Sequence, residues 1–296
     1  MIFINPKTDF AFKKIFGSEK SHGVLISFLN GILYGGRSII EDLTILNPYQ
    51  APRIRGVKDT YLDVKAKLHS GETVIIEMQV LNVEGFEKRI LYNATKSYAM
   101  QLDKGEKYSE LNPVIALTIT DFEMFSDIDR PISRFVLKEN DLLIDYLSCD
   151  LQLVFLELPK FKRSLEELES LTDKWIYFMQ HAPDLDLVPE RMGDVMAIQQ
   201  AFEFANRAML TRDELDELEH QAFFIQDQQG AIVKAMNQGI AVGVKQTKLD
   251  VARRLLSVMD DATIAQTTDL TIVEIQELRR SIDLSLIIIT RNSQQS

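Results

Sequence analysis

Apolar residues recur at three- and four-residue spacing through residues 8–35: Phe10, Phe12, Ile15 and Phe16, then Leu25, Phe28, Leu29 and Leu33. That period lines one face of a helix. Gly17-Ser18 splits the stretch in two, and Asn30-Gly31 and Gly35-Gly36 carry turn chemistry. Residues 42–48 predict a short strand. From about residue 59 to 80 the pattern becomes alternating or continuously apolar on either side of Ser70-Gly71, which predicts a β-hairpin. Helical spacing returns over 84–103 with Phe86, Ile90, Tyr92 or Asn93, Ser97 and Gln101. Asn112-Pro113 then introduces a buried-type strand at 114–120, and a second apolar run at 151–158 stops at Pro159. Helices alternating with strands predict an α/β fold with a central sheet.

Beyond residue 160 the pattern is helical throughout. Residues 165–171, 175–179 and 195–210 have apolar three- and four-residue spacing, and Thr211-Arg-Asp-Glu214 is a capping box that opens a further helix. Residues 231–258 predict one long helix with Gly239 and Gly243 four apart, a spacing that suits a close helix contact and marks a candidate homodimer interface. The last unit, 251–280, predicts three short helices with a second capping box at Thr271 and Glu274, resembling a helix-turn-helix. Glu274 and Glu277 on its third helix suit a DNA major groove poorly, which favours a small packing unit. The expected division is a domain over 1–225 and a helical tail over 226–296.

Composition narrows the classes. The single cysteine, Cys149, excludes an internal disulfide and a thiolate zinc cage, and the four histidines show no ligand spacing. No apolar run approaches the roughly 20 residues of a membrane span, and the N-terminus lacks the layout of a signal peptide, so a cytoplasmic location is expected. The net charge of −11 argues against a general nucleic-acid coat, but it is unevenly spread. Residues 1–125 hold 15 Lys/Arg and 15 Asp/Glu, whereas 126–296 hold 18 and 29. Arg53, Arg55, Lys58, Lys65 and Lys67 gather around the hairpin, as either a solvated basic edge or a phosphate-binding one.

The hairpin carries the candidate chemistry. Side chains alternate faces along a strand, so Glu77 and Gln79 share a face and Asp63 can lie opposite them. Two carboxylates beside an amide oxygen make a hard-oxygen site suited to Mg²⁺ or Mn²⁺. Such a site can serve phosphodiester hydrolysis, which needs charge neutralised at phosphorus and an activated water. On spacing alone, a solvated acidic sheet face explains Asp63 and Glu77 as readily.

Asp63 followed by Glu77-Met78-Gln79 resembles the signature of the PD-(D/E)XK nuclease superfamily. The wider text is similar to its recombination-promoting nuclease and transposase family. That text comprises Thr8-Asp9-Phe10-Ala11-Phe12-Lys13-Lys14, Ser27-Phe28-Leu29-Asn30, Phe86 to Arg89, Tyr98 to Gln101, residues 105–115 and Lys174-Trp175. The similarity spans roughly residues 5–220. It implies a restriction-endonuclease-like core, a mixed central sheet flanked by helices, and Mg²⁺-dependent DNA cleavage, with Asp63 and Glu77 as metal ligands and Gln79 completing the catalytic set. Gln79 stands where the superfamily has Lys; a glutamine is neither a cation nor a base, so weak activity is implied. Lys65, on the same strand face as Asp63, is a candidate stand-in. Arg89 and Gln101 are candidates for DNA contact or for bracing the sheet, and at twelve residues apart, roughly 18 Å along a helix, they cannot share one metal. Asp9 and Lys13 are expected to form an i,i+4 ion pair, and Phe10, Phe12 and Phe16 to enter the core.

Overall fold

A computed structural model describes residues 2–50, 60–147 and 149–281. Contacts divide the chain into two compact units, 1–225 and 226–296. In the first, helix α1 (Asp9–Phe16) starts at Thr8, whose side chain accepts from the Ala11 amide, and α2 spans His22–Tyr34. Strands β1 (Leu43–Leu46), β2 (Tyr49–Gln50), β3 (Thr60–Tyr61), β4 (Val64–Leu68) and β5 (Thr73–Gln79) follow, and then helix α3 (Phe86–Ala99). Strand β6 (Val114–Thr120), strand β7 (Ile132–Phe135) and strand β8 (Leu151–Glu157) complete the sheet. Helices α4 (Leu171–His181), α5 (Glu190–Gly193) and α6 (Met196–Ala205) come next, and α7 runs 44 residues from Arg212 to Leu255.

The six-stranded sheet has the order β1-β4-β5-β6-β8-β7. Pairs β5–β6 and β6–β8 are parallel, while β1–β4, β4–β5 and β7–β8 are antiparallel. This is the expected mixed sheet flanked by helices with a helical C-terminal region, consistent with a restriction-endonuclease-like core. Both parallel crossovers are long, as parallel pairing requires.

Alternation decides what each face of the sheet meets. Val64, Ala66, Leu68, Val74, Ile76, Ile115, Leu117, Ile119, Val154 and Leu156 join the main core with α1, α2, α4 and α6. That core holds a chain of ring contacts, Phe16–Phe28–Trp175–Phe178–Phe202, with neighbouring centroids 4.6 to 5.7 Å apart. The other face carries Ile75, Ala116 and Phe155 under the Phe86, Ile90 and Ala94 side of α3. The odd-numbered residues of β5, Glu77 and Gln79 among them, therefore face α3.

The pattern predicted several elements differently. Asn30-Gly31 does not turn: it lies inside α2, where a Cβ on Gly31 would come 2.9 Å from the Trp175 ring. A glycine placed for close packing carries the same letters as a turn glycine. Asp63 sits at a bend just before β4 rather than within the strand. Residues 165–167 form a single 3₁₀ turn, and the short strands β2, β3 and β7 carry too few residues to show a period. The capping box at Thr211 opens the same helix that contains Gly239 and Gly243, so two predicted helices are one.

In the second unit, the end of α7, helix α8 (Asp261–Thr268) and a helix α9 at 272–281 surround Ala252, Leu256, Ile264, Leu270, Ile275 and Leu278. Thr271 and Glu274 form the expected capping box. Arg279 bonds Asp261 at 2.8 Å and the Leu256 carbonyl at 2.8 Å, so it holds this unit together from within.

Candidate active site

The parallel strands carry β5 toward its C-terminal end with Glu77 and Gln79 on the α3 face. Val64 pairs with Ile76, so Asp63, one residue earlier, comes opposite Glu77. The three side chains line one cleft of about 410 Å³ together with Asp9, Thr60, Tyr61, Met78, Arg89 and Asn93. Residues fourteen apart in sequence thus meet because a hairpin folds them across one another.

Each acid is held by named partners. Asp63 Oδ2 accepts from the Met78 backbone N–H at 2.7 Å. Its other oxygen lies 3.9 Å from Lys13 Nζ, and its carboxyl hydrogen-bonds that of Asp9. Burial, followed by the Asp9 contact, pushes the Asp63 carboxyl up to about 8. Asp63 keeps its proton because its charged form would be stripped of water and set against a neighbouring acid. Glu77, 8% exposed, accepts from Asn93 Nδ2 through Oε1, while its Oε2 stands 3.8 Å from Arg89 Nε. Desolvation raises its pKa, against the pull of Asn93 and Arg89. Gln79 is engaged at both ends of its amide: Oε1 accepts from Arg89 at 2.7 Å, and Nε2 donates to the Leu81 carbonyl at 2.7 Å.

The other predicted residues are distributed unevenly. Arg89 stands in the cleft, between Glu77 and Gln79. Lys65 pairs across the strands with Ile75 and Leu46, is half-buried, and does not line the cleft; burial lowers its pKa. Gln101 exchanges hydrogen bonds with the backbone of Asn112, at 2.8 and 2.9 Å, and braces the approach to β6. Lys67 is exposed on β4, and Arg53, Arg55 and Lys58 lie outside the described residues.

Two cleft residues escaped the sequence reading as site residues. Asp9 forms the expected pair with Lys13 at 2.7 Å and also reaches Asp63, a contact between α1 and the hairpin that no local pattern announces. Asn93 lay in the helical stripe but carried no role. The available signal was a polar series at four-residue spacing that follows one face of α3 and runs on to Gln101, two residues past the helix end. Arg89 and Asn93 turn to the cleft, Ser97 receives a hydrogen bond from Gln50, and Gln101 meets Asn112.

Among the described residues, no three or more His, Cys, Asp and Glu side chains gather as a metal cage. The donor set at the cleft, carboxylates with a proton in excess, nevertheless fits a hard divalent cation. Mg²⁺ is bound through one or two carboxylates, with water and substrate oxygens completing the shell, rather than by an all-protein cage.

No curated protein and no solved structure matches the chain. A family model described as PD-(D/E)XK nuclease family transposase matches residues 6–235, a span containing the sheet, the cleft and its residues, and the chain belongs to that family.

Proposed function

We propose that the protein is a metal-dependent DNA endonuclease of bacterial recombination or mobile-element type, acting in the cytoplasm on phosphodiester bonds. Family membership supports a nuclease or transposase-type activity. The observation that carries the finer reading is the meeting of Asp63, Glu77 and Gln79 in one cleft with both carboxyls raised by burial. When bound there, Mg²⁺ or Mn²⁺ supplies charge neutralisation at phosphorus and lowers the pKa of water. Asp63, fixed by the Met78 amide, and Glu77, fixed by Asn93, provide the anionic oxygens. Arg89, whose side chain is 43% exposed, lines the cleft and is placed to meet a phosphate oxygen of bound DNA. Gln79 orients Arg89 and cannot itself take a proton from water.

One observation favours a second reading, a weak or inactive member that binds DNA or protein. Both ends of the Gln79 amide are committed to protein partners, and Lys65 does not line the cleft, so neither supplies the lysine of the superfamily signature. Plasmid cleavage under Mg²⁺, Mn²⁺, Ca²⁺ and chelator separates the two. Weak nicking with Mg²⁺ or Mn²⁺ is expected, abolished in Asp63→Ala and Glu77→Ala and reduced more mildly in Gln79→Ala. Equal cleavage by wild type and both carboxylate variants would place any activity elsewhere.

A further inference from the structure

Asn93 is 2% exposed on the inner face of α3 and lines the cleft. Its Nδ2 donates to Glu77 Oε1. Its Oδ1 is buried and has no hydrogen-bond partner among the described residues. A buried acceptor left without a hydrogen bond is costly, because it gives up its bonds to water. An aliphatic side chain of similar size would avoid that cost, so the asparagine needs a reason tied to its donor end. Among the described residues, Glu77 is its only hydrogen-bond partner. The remaining Glu77 oxygen, Oε2, is 3.8 Å from Arg89 Nε, beyond hydrogen-bonding distance, and is left for a further partner.

We propose, resting on the functional reading above, that Asn93 is the positioning residue of the site: it ties down Glu77 Oε1 and thereby presents Oε2 as the single oxygen offered to a divalent cation. The neighbouring polar positions of α3 do different work. Ser97, one turn on, bonds Gln50 and holds the strand pair β2–β3, while Arg89 faces both Glu77 and Gln79. Asn93 alone among the described residues gives Glu77 a neutral hydrogen bond that fixes which oxygen is free. Partners that orient a metal ligand in this way carry 10–100-fold of metal affinity, roughly.

The test is Mn²⁺ binding to the full chain, read by electron paramagnetic resonance, with a thermal melt of each variant. Wild type and Ser97→Ala are expected to bind alike, Glu77→Gln to lose binding, and Asn93→Leu and Asn93→Ala to weaken it about 10–100-fold while still melting cooperatively. Wild-type affinity in both Asn93 variants, with Glu77→Gln lost, overturns the role of Asn93 and leaves the functional reading standing. An equal loss in Ser97→Ala assigns the effect to the packing of α3 and also overturns it. So does failure of both Asn93 variants to fold, which makes Asn93 a core residue. Absence of Glu77-dependent binding in the wild type brings down the functional reading and this inference together.

Discussion

At the scale of single residues, the site is governed by what happens to charge when water is removed. Asp63 has an ordinary carboxyl pKa of 3.8 and is pushed up to about 8 by burial and by Asp9. The folded protein therefore keeps a proton that the unfolded chain releases, and this stability is fully present below pH 4 and lost as pH rises through 8. Asp63→Asn keeps the shape and cannot ionise. It is expected to melt above wild type at pH 8.5, with the gap closing toward pH 4, in melts without divalent cation. A constant gap across that range would show that Asp63 is not held protonated.

At the scale of elements, close packing overrides local preference. Gly31 lies within α2, and its replacement by alanine would ordinarily stabilise a helix by about 1 kcal/mol. Here the added Cβ meets the Trp175 ring at 2.9 Å and Leu171 at 3.5 Å, and Trp175 is wholly buried among aromatic neighbours. Overpacking of that kind costs about 1–3 kcal/mol, so the clash should win. Gly31→Ala is expected to lower the urea midpoint; a rise would show that α2 and α4 can separate freely. On the opposite face of the sheet, α3 shows the same principle in polar form. Its Arg89, Asn93 and Ser97, with Gln101 just beyond its end, each have a defined partner in the cleft, in β2 or in the approach to β6.

At the scale of the whole molecule, charge and association bear on the proposed encounter with DNA. The excess of acid lies in residues 126–225, with 21 Asp/Glu and 10 Lys/Arg, whereas 226–296 are balanced at 8 and 8. Few cations are available to phosphate, so DNA affinity should be low at physiological salt and fall with a log–log slope equivalent to about two to five contacts. A slope well beyond five in filter binding across 50–200 mM salt would reveal a basic surface that the charge distribution conceals. We further propose a homodimer, since one site makes one cut at a time. On α7, Phe223, Phe224, Met236 and Ile240 are more than half exposed, and a Cβ on Gly239 or Gly243 would meet nothing within 4 Å among the described residues. Light scattering at micromolar protein should show twice the monomer mass; a monomer with and without DNA would refute the pairing.

The sequence by itself determined what depends on neighbours along the chain. The hairpin at Ser70-Gly71, the strand Val114–Thr120, the helical run beyond residue 160 and both capping boxes follow from periods of two and 3.6 and from residues that satisfy nearby backbone groups. The placement of Glu77 and Gln79 on one face follows from the same alternation, which made the centre of the candidate site legible. Tertiary structure decided everything that joins distant segments. Only folding brings Asp9 from α1 and Asn93 from α3 to the hairpin acids, makes Gly31 a packing position and leaves Lys65 outside the cleft. The physical reason is that hydrogen bonds, desolvation and steric contact act through space at a few ångströms, whereas a local pattern records only which side of its own element a residue will face.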